Sequence, residues 1–98
     1  MPAADLSAIA ALMRTGQWHA AHDAIQHQDG LLAAWLHGLL HWQEGDLEDA
    51  EHWYDRAGRR FRQRAATLDE ELALFDATLQ SHPHSHRGTD VFPEGAPS

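Results

Sequence analysis

Two histidines four residues apart offer the clearest chemistry in this sequence. The stretch WLHGLLHWQEGD, residues 35–46, contains His37 and His41, with Glu44 three residues further on. In a helix this spacing puts the three side chains along one face. A fourth residue, His22, lies on the apolar face of the preceding helical segment. Imidazole nitrogens with one carboxylate suit zinc or another divalent transition metal, so the pattern predicts a metal site formed by His22, His37, His41 and Glu44.

The alternative is that these histidines are hydrogen-bonded core residues. Imidazole is intermediate in burial and is satisfied by a carboxylate or a backbone carbonyl. A His-x-x-x-His spacing also arises by chance in a chain with nine histidines. The sequence alone favours the core interpretation and keeps metal binding as the alternative. Catalysis without a metal is the least favoured interpretation, because no Ser/His/Asp arrangement can be ordered and no glycine-rich phosphate loop is present. The metal-binding alternative includes a metalloenzyme, so the sequence leans against an enzyme without deciding the question.

A second group of residues combines arginines with aromatic side chains. Five of the seven arginines fall within residues 56–64. Their simplest role is to favour a helix C-terminus, with the acidic residues 69–71 close enough to balance them. Guanidinium groups beside aromatic rings also bind anionic partners. Because the formal net charge is −8, we expect a partner protein or an acidic peptide rather than nucleic acid. The predicted contact residues are Trp42, Trp53, Tyr54, Arg56, Arg59 and Arg60.

The composition restricts the class of protein. The chain contains no cysteine, which excludes disulfides and thiolate metal sites. Its hydrophobic fraction of 43% is ordinary for a globular chain. No stretch approaches the roughly 18 uninterrupted apolar residues that a membrane span needs. The N-terminus has no basic residue ahead of its apolar part, unlike a signal peptide. We therefore expect a cytoplasmic protein that does not bind membranes.

Glycines divide the chain into stretches with helical periodicity. They stand at Gly16, Gly30, Gly45 and Gly58, where a left-handed residue typically ends a helix. Asp46 is a predicted N-cap, and Thr67 with Glu70 has the pattern of a capping box. No stretch alternates convincingly with a period of two. The predicted fold class is all-α, a compact bundle of about five short antiparallel helices joined by short connections.

The helices and the C-terminus differ in composition. We expect one domain over residues 1–81 and a disordered tail over residues 82–98, since the tail holds three of the four prolines and has no apolar period. Its histidines, His82, His84 and His86, would bind metal only loosely. The third helix, which begins at Leu31, is apolar nearly all round. It is therefore predicted to be central or partly covered by a second copy, and from this we expect a homo-oligomer.

Residues 34–58 resemble a tetratricopeptide repeat unit. Gly38 matches that family's small mid-helix residue, where two helices pack closely, and Gly45 with Asp46 matches its turn. The small-large-small face of the second helix is matched by Ala50, Tyr54 and Ala57. The pattern Gly-x-large-x-x-Ala-x-x-x-large, which begins at Gly45 in this unit, also occurs 29 residues earlier, beginning at Gly16. The resemblance implies tetratricopeptide-like helical hairpins followed by a capping helix.

The chain is also similar to a group of short bacterial proteins that carry three motifs. Here these are AHD at residues 21–23, W-x-H-x-x-L-H-x-x-EGD at 35–46 and WY-x-RAG at 53–58. That resemblance implies no particular activity. We expect a small binding module that offers a groove or a homodimer face to a partner, with a small metal-binding protein as the alternative.

Overall fold

The computed structural model describes residues 5–81, and every regular element in this range is helical. Helix α1 spans Leu6–Arg14, α2 Trp18–Ile25, α3 Leu31–Gln43, α4 Leu47–Arg56 and α5 Leu68–Gln80, with a 3-10 turn at Phe61–Gln63 before α5. This part of the chain has no strand, so the predicted all-α class is confirmed. None of these helices has the length and hydropathy to cross a membrane. The expected tail, residues 82–98, lies outside the described residues.

Two helices begin at the predicted capping residues. At the start of α4, Oδ1 of Asp46 accepts the N–H of Asp49 at 3.3 Å. At the start of α5, the Thr67 hydroxyl accepts the N–H of Glu70 at 3.1 Å, while the Glu70 carboxylate accepts the N–H of Thr67 at 3.2 Å. These bonds satisfy amide groups that the first turn of a helix leaves without partners. The local sequence therefore determines where both helices start.

Helix α3 ends at a turn that positions part of the site. Gly45 has a φ of 83°, in the left-handed region that favours glycine. Its N–H donates to the carbonyl of Trp42, and the N–H of Asp46 donates to the carbonyl of His41, each at 2.9 Å. This is a Schellman motif. It reverses the chain so that Asp46 lies directly beside His41.

Helix α3 lies at the centre of the fold. It packs against α1, α2 and α5, and most extensively against α4. Residues 33–40 are all buried. The helices of the same chain therefore account for the broad apolar surface of α3, which in the sequence suggested cover by a second copy. The apolar surface of α3 therefore no longer supports a homo-oligomer, which stays a prediction.

Helices α3 and α4 cross closely at Gly38. A Cβ atom at this position would lie 2.5 Å from Cδ1 of Tyr54 and 3.1 Å from the carbonyl oxygen of Ala50. Both Tyr54 and Ala50 are fully buried, and a close-packed interior leaves them little room to retreat. The close approach expected at Gly38 is present.

Candidate functional site

Three histidines from two helices lie together beside the core. His22 projects from α2, and His37 and His41 project from successive turns of α3. One ring nitrogen from each lies within 4.8 Å of those of the other two. The His37 and His41 rings are parallel, with centroids 5.1 Å apart, and the His22 ring is nearly perpendicular to both. We call these three residues the histidine cluster. Their proximity is the one that the helical spacing predicted.

His37 is the buried member of the histidine cluster, whereas His22 and His41 are half-buried. His37 is only 7% exposed, and its ring stacks on Trp53 of α4 with a centroid distance of 3.8 Å. Burial, followed by the neighbouring His41 and His22, lowers the pKa of His37 to about 4. Both causes act in the same direction because each disfavours a charged imidazolium. His37 is therefore neutral near pH 7, with a lone pair on one ring nitrogen.

Hydrogen bonding within the histidine cluster is incomplete. Nε2 of Gln26 lies 3.0 Å from Nδ1 of His22. Nδ1 of His41 is buried and has no hydrogen-bond partner among residues 5–81, although Oδ2 of Asp46 lies 3.7 Å away. A buried polar atom without a partner costs free energy and calls for an explanation. A proton on Nδ1 that faces Asp46 would leave Nε2 of His41 free as a ligand, an arrangement typical of metal-bound histidine.

The histidine cluster offers the kind of donor atoms that first-row divalent metal ions bind. Zinc binds imidazole nitrogen at about 2.0–2.1 Å, so ligand nitrogens of a tetrahedral site lie roughly 3.4 Å apart. The three nitrogens here lie within 4.8 Å of one another, so they would have to move closer together, and the parallel rings of His37 and His41 would have to turn, to ligate one ion. Three protein ligands leave a fourth position for water or another ligand. The arrangement could therefore hold a metal that remains open to a further ligand.

Glu44, the fourth predicted ligand, stands apart from the histidine cluster. It forms the C-cap of α3 and its side chain is exposed. The grouping that unites the three histidines does not include it. Helical spacing alone put Glu44 on the same face, but α3 ends one residue earlier. The carboxylate that the turn brings to His41 is that of Asp46, which forms a second potential ligand group with His41 and Asp49.

The aromatic residues predicted as contacts are largely enclosed. Tyr54 is fully buried. Trp42 is half-buried, and the guanidinium of Arg64 covers its ring at 4.6 Å from the centroid. Trp53 is half-buried and stacks on His37. Tyr54 and Trp42 therefore support the fold, whereas Trp53 joins α4 to the histidine cluster.

The predicted contact arginines lie in separate environments. Arg56 lies over Trp53, 5.2 Å from its ring centroid, whereas Arg59 lies over the buried Trp35 at 3.6 Å. Arg60 is exposed before the 3-10 turn. None of the three forms an ion pair with any residue in the described range. They do not make one basic patch, and Arg56 is the one placed near the histidine cluster.

A buried carboxylate forms a second network that the sequence did not predict. Glu71 is 2% exposed. Its Oε2 accepts the Tyr54 hydroxyl at 2.8 Å and the Trp35 indole N–H at 3.1 Å, and its Oε1 accepts the N–H of Ala65 at 2.8 Å. Burial, followed by the hydrogen bond to Glu71, raises the pKa of Tyr54 well above its ordinary value. The network ties α3, α4 and α5 together.

A signal for this network exists in the sequence. By its neighbours alone, Glu71 is predicted to balance the arginines together with Asp69 and Glu70. In α5, however, it lies three residues after Leu68 and four before Phe75, which puts it on the apolar face of the helix. A carboxylate on such a face predicts a buried acceptor that needs donors from other helices.

Comparison of the chain with protein-family models, curated proteins and solved structures gave no match. The tetratricopeptide resemblance therefore stays a prediction. Functional conclusions depend on the geometry of the histidine cluster and its surroundings.

Proposed function

We propose that this protein binds one divalent transition-metal ion, such as zinc, through His22, His37 and His41. The observation that carries the proposal is the approach of one nitrogen from each histidine to within 4.8 Å of the other two. Two ligands in successive turns of α3 and one from α2 form a convergent set on packed helices. Rigid elements of this kind hold ligands more precisely than loops do.

The incomplete hydrogen bonding favours metal over a purely structural role. A core histidine ordinarily satisfies its ring nitrogens with carboxylates, carbonyls or water. In the described part of the chain, the buried Nδ1 of His41 has no such bond. A metal on the other nitrogen of His41 would fix the tautomer and turn Nδ1–H toward Asp46. This is the pairing of metal-bound imidazole with a carboxylate that metalloproteins use.

The test measures zinc bound to the full chain after its three tail histidines are replaced. His82, His84 and His86 would be changed to Asn, so that they do not report metal of their own. Elemental analysis after zinc loading and gel filtration should give one equivalent per chain. His37→Ala together with His41→Ala should abolish it, because the site then keeps one imidazole.

The matched control for this test is His27→Ala with His52→Ala. Both residues are exposed and lie outside the histidine cluster, so the double variant should retain one equivalent. Absence of zinc from the parent protein would contradict the proposal. Equal zinc in the two double variants would also contradict it.

Protein interaction is a second candidate function, which one exposed residue favours. Leu31 is 66% exposed and borders a groove of about 910 Å³ that Leu32 and Arg59 also line. Asp5, Asp29 and Asp76 line the same groove, so its apolar rim suits a second copy of this chain better than an acidic peptide. Sedimentation of the wild type and of Leu31→Glu tests self-association. A dimer that the substitution disrupts would support it, and a monomeric wild type would exclude it.

A further inference from the structure

A second groove opens beside the histidine cluster. It has a volume of about 630 Å³, and its lining includes His37, Trp53, Arg56 and Gln26. Gln26 in turn lies 3.0 Å from Nδ1 of His22. The groove therefore meets the cluster directly at His37 and, through Gln26, at His22. A ligand in this groove would contact His37, one of the three proposed metal ligands.

Arg56 is the cationic side chain of this groove. It is exposed, lies over the Trp53 ring and has no ion pair within residues 5–81. Trp53 stacks in turn on His37. A guanidinium beside an aromatic ring presents planar donors that match a carboxylate or a phosphate. Arg56 and His37 thus both contact the Trp53 ring and line the same groove.

The charge of the groove depends on whether metal is bound. Asp29 also lines it, and its carboxylate balances the guanidinium of Arg56. A divalent ion at the histidine cluster would add two positive charges beside the groove, which Asp46 and Asp49 near His41 offset in part. An anion should therefore be attracted to the metal-loaded protein and much less to the metal-free protein.

We propose that the metal-loaded site binds a small oxyanion, which ligates the ion at its fourth position and pairs with Arg56. This inference rests on the proposed function. Carboxylates and phosphates share the required chemistry, namely oxygen atoms that can bridge a metal ion and a guanidinium. Arg56 is then a binding residue of the site, and the fourth ligand of the ion comes from solution.

The test uses the full chain, with its tail histidines changed to Asn and loaded with one equivalent of cobalt(II). The visible spectrum of cobalt responds to any change of ligand at the ion. Titration with inorganic phosphate and, separately, with acetate should shift the spectrum to saturation. The anion that binds with the higher affinity identifies the class of oxyanion.

Arg56→Ala should weaken the binding of that anion at least about tenfold, as loss of a charge-assisted pair does. Arg62→Ala is the matched control, because this exposed arginine does not line the groove, and it should bind like the parent.

The outcomes separate this inference from the function on which it rests. Failure to bind cobalt would overturn both. Cobalt bound through histidines, with a spectrum that ignores phosphate and acetate, would overturn the oxyanion site alone. Equal anion affinity in Arg56→Ala and Arg62→Ala would also overturn it. A calorimetric titration showing equal phosphate affinity with and without metal would exclude direct ligation of the ion.

Discussion

The Oδ2 atom of Asp46 lies 3.7 Å from the Nδ1 atom of His41, and a backbone hydrogen bond of 2.9 Å from Asp46 to His41 holds the two residues side by side. The other carboxylate oxygen of Asp46 caps α4. One side chain therefore serves two purposes, since it starts a helix and faces a candidate metal ligand. The turn at Gly45 makes both contacts available at once.

Asp46→Ser should separate these two purposes. Serine keeps the N-cap but has no second oxygen to face His41. We expect zinc affinity to fall by about 10–100-fold, the usual cost of losing a ligand's hydrogen-bond partner. The stability of the metal-free protein should change little. Calorimetric zinc titration and thermal unfolding without metal measure the two effects.

The matched control for Asp46→Ser is Asp55→Ser, which removes the same charge from an exposed position on α4. Zinc affinity should be nearly unchanged in this control. Equal affinities in the two variants would show that Asp46 does not orient His41.

The stability of the metal-free protein should fall as pH decreases from 6.5 toward 4. The pKa of His37 is lowered from 6.5 to about 4, with His41 and His22 as its titratable neighbours. Between these values the unfolded chain binds more protons than the folded chain, so stability rises with pH. The contribution is up to about 3 kcal/mol.

Urea unfolding across that pH range, with chelator present, tests this contribution. His37→Gln removes the titrating group and should flatten the dependence, whatever its effect at pH 7. A wild-type protein that becomes more stable as pH decreases through this window would contradict burial of a neutral His37.

Alkaline pH should destabilise the protein through Tyr54. Its pKa is raised above the unfolded value of about 10 by burial and by Glu71. Above that value the unfolded chain loses a proton that the folded chain keeps, so stability is lost at roughly 1.4 kcal/mol per pH unit. Tyr54 is the only tyrosine, and the absorbance of tyrosinate therefore reports on this residue alone.

Tyrosinate absorbance should appear together with loss of helical circular dichroism. Ionisation near pH 10 in a protein that stays helical would contradict the buried Tyr54–Glu71 bond. Tyr54→Phe serves as the control. It has no tyrosine to ionise, so it should not lose stability at alkaline pH for this reason.

Gly38→Ala should destabilise the protein although alanine favours helix. The gain in helix propensity is about 1 kcal/mol, but the added Cβ would lie 2.5 Å from the Tyr54 ring. Tyr54 is fully buried and hydrogen-bonded to Glu71, so we expect the clash to outweigh the gain in helix propensity. The free energy of unfolding should fall by about 1–3 kcal/mol, and by more in Gly38→Leu. Urea unfolding measures it, and unchanged stability in Gly38→Leu would show that the two helices can separate freely.

Most of the fold could be predicted because its signals are local. Helical periodicity, the glycines that end helices and the caps at Asp46 and Thr67 each depend on a few neighbouring residues. The proximity of His37 and His41 follows from helix geometry alone. Placing His22 beside them required only that the apolar face of α2 pack on α3.

The remainder depends on which groups of other elements come into contact, and no local pattern identifies those partners. Helical spacing puts Glu44 on the same face as the histidines, yet α3 ends before this residue. The turn places Asp46, not Glu44, beside His41. Glu71 is buried because donors from α3, from α4 and from the segment before α5 converge on it. The arginines, although close in sequence, separate because the chain turns at Gly58, so that Arg56 and Arg59 lie over different tryptophans.

X-ray absorption at the zinc edge tests the central claim most directly. The sample is the full chain with its tail histidines replaced by Asn and one equivalent of zinc bound. We expect three imidazole nitrogens at about 2.0–2.1 Å from the zinc ion, with the outer-shell scattering of histidine rings. This pattern should be lost in His37→Ala with His41→Ala. Zinc surrounded by oxygen ligands, or an unchanged spectrum in the double variant, would contradict it.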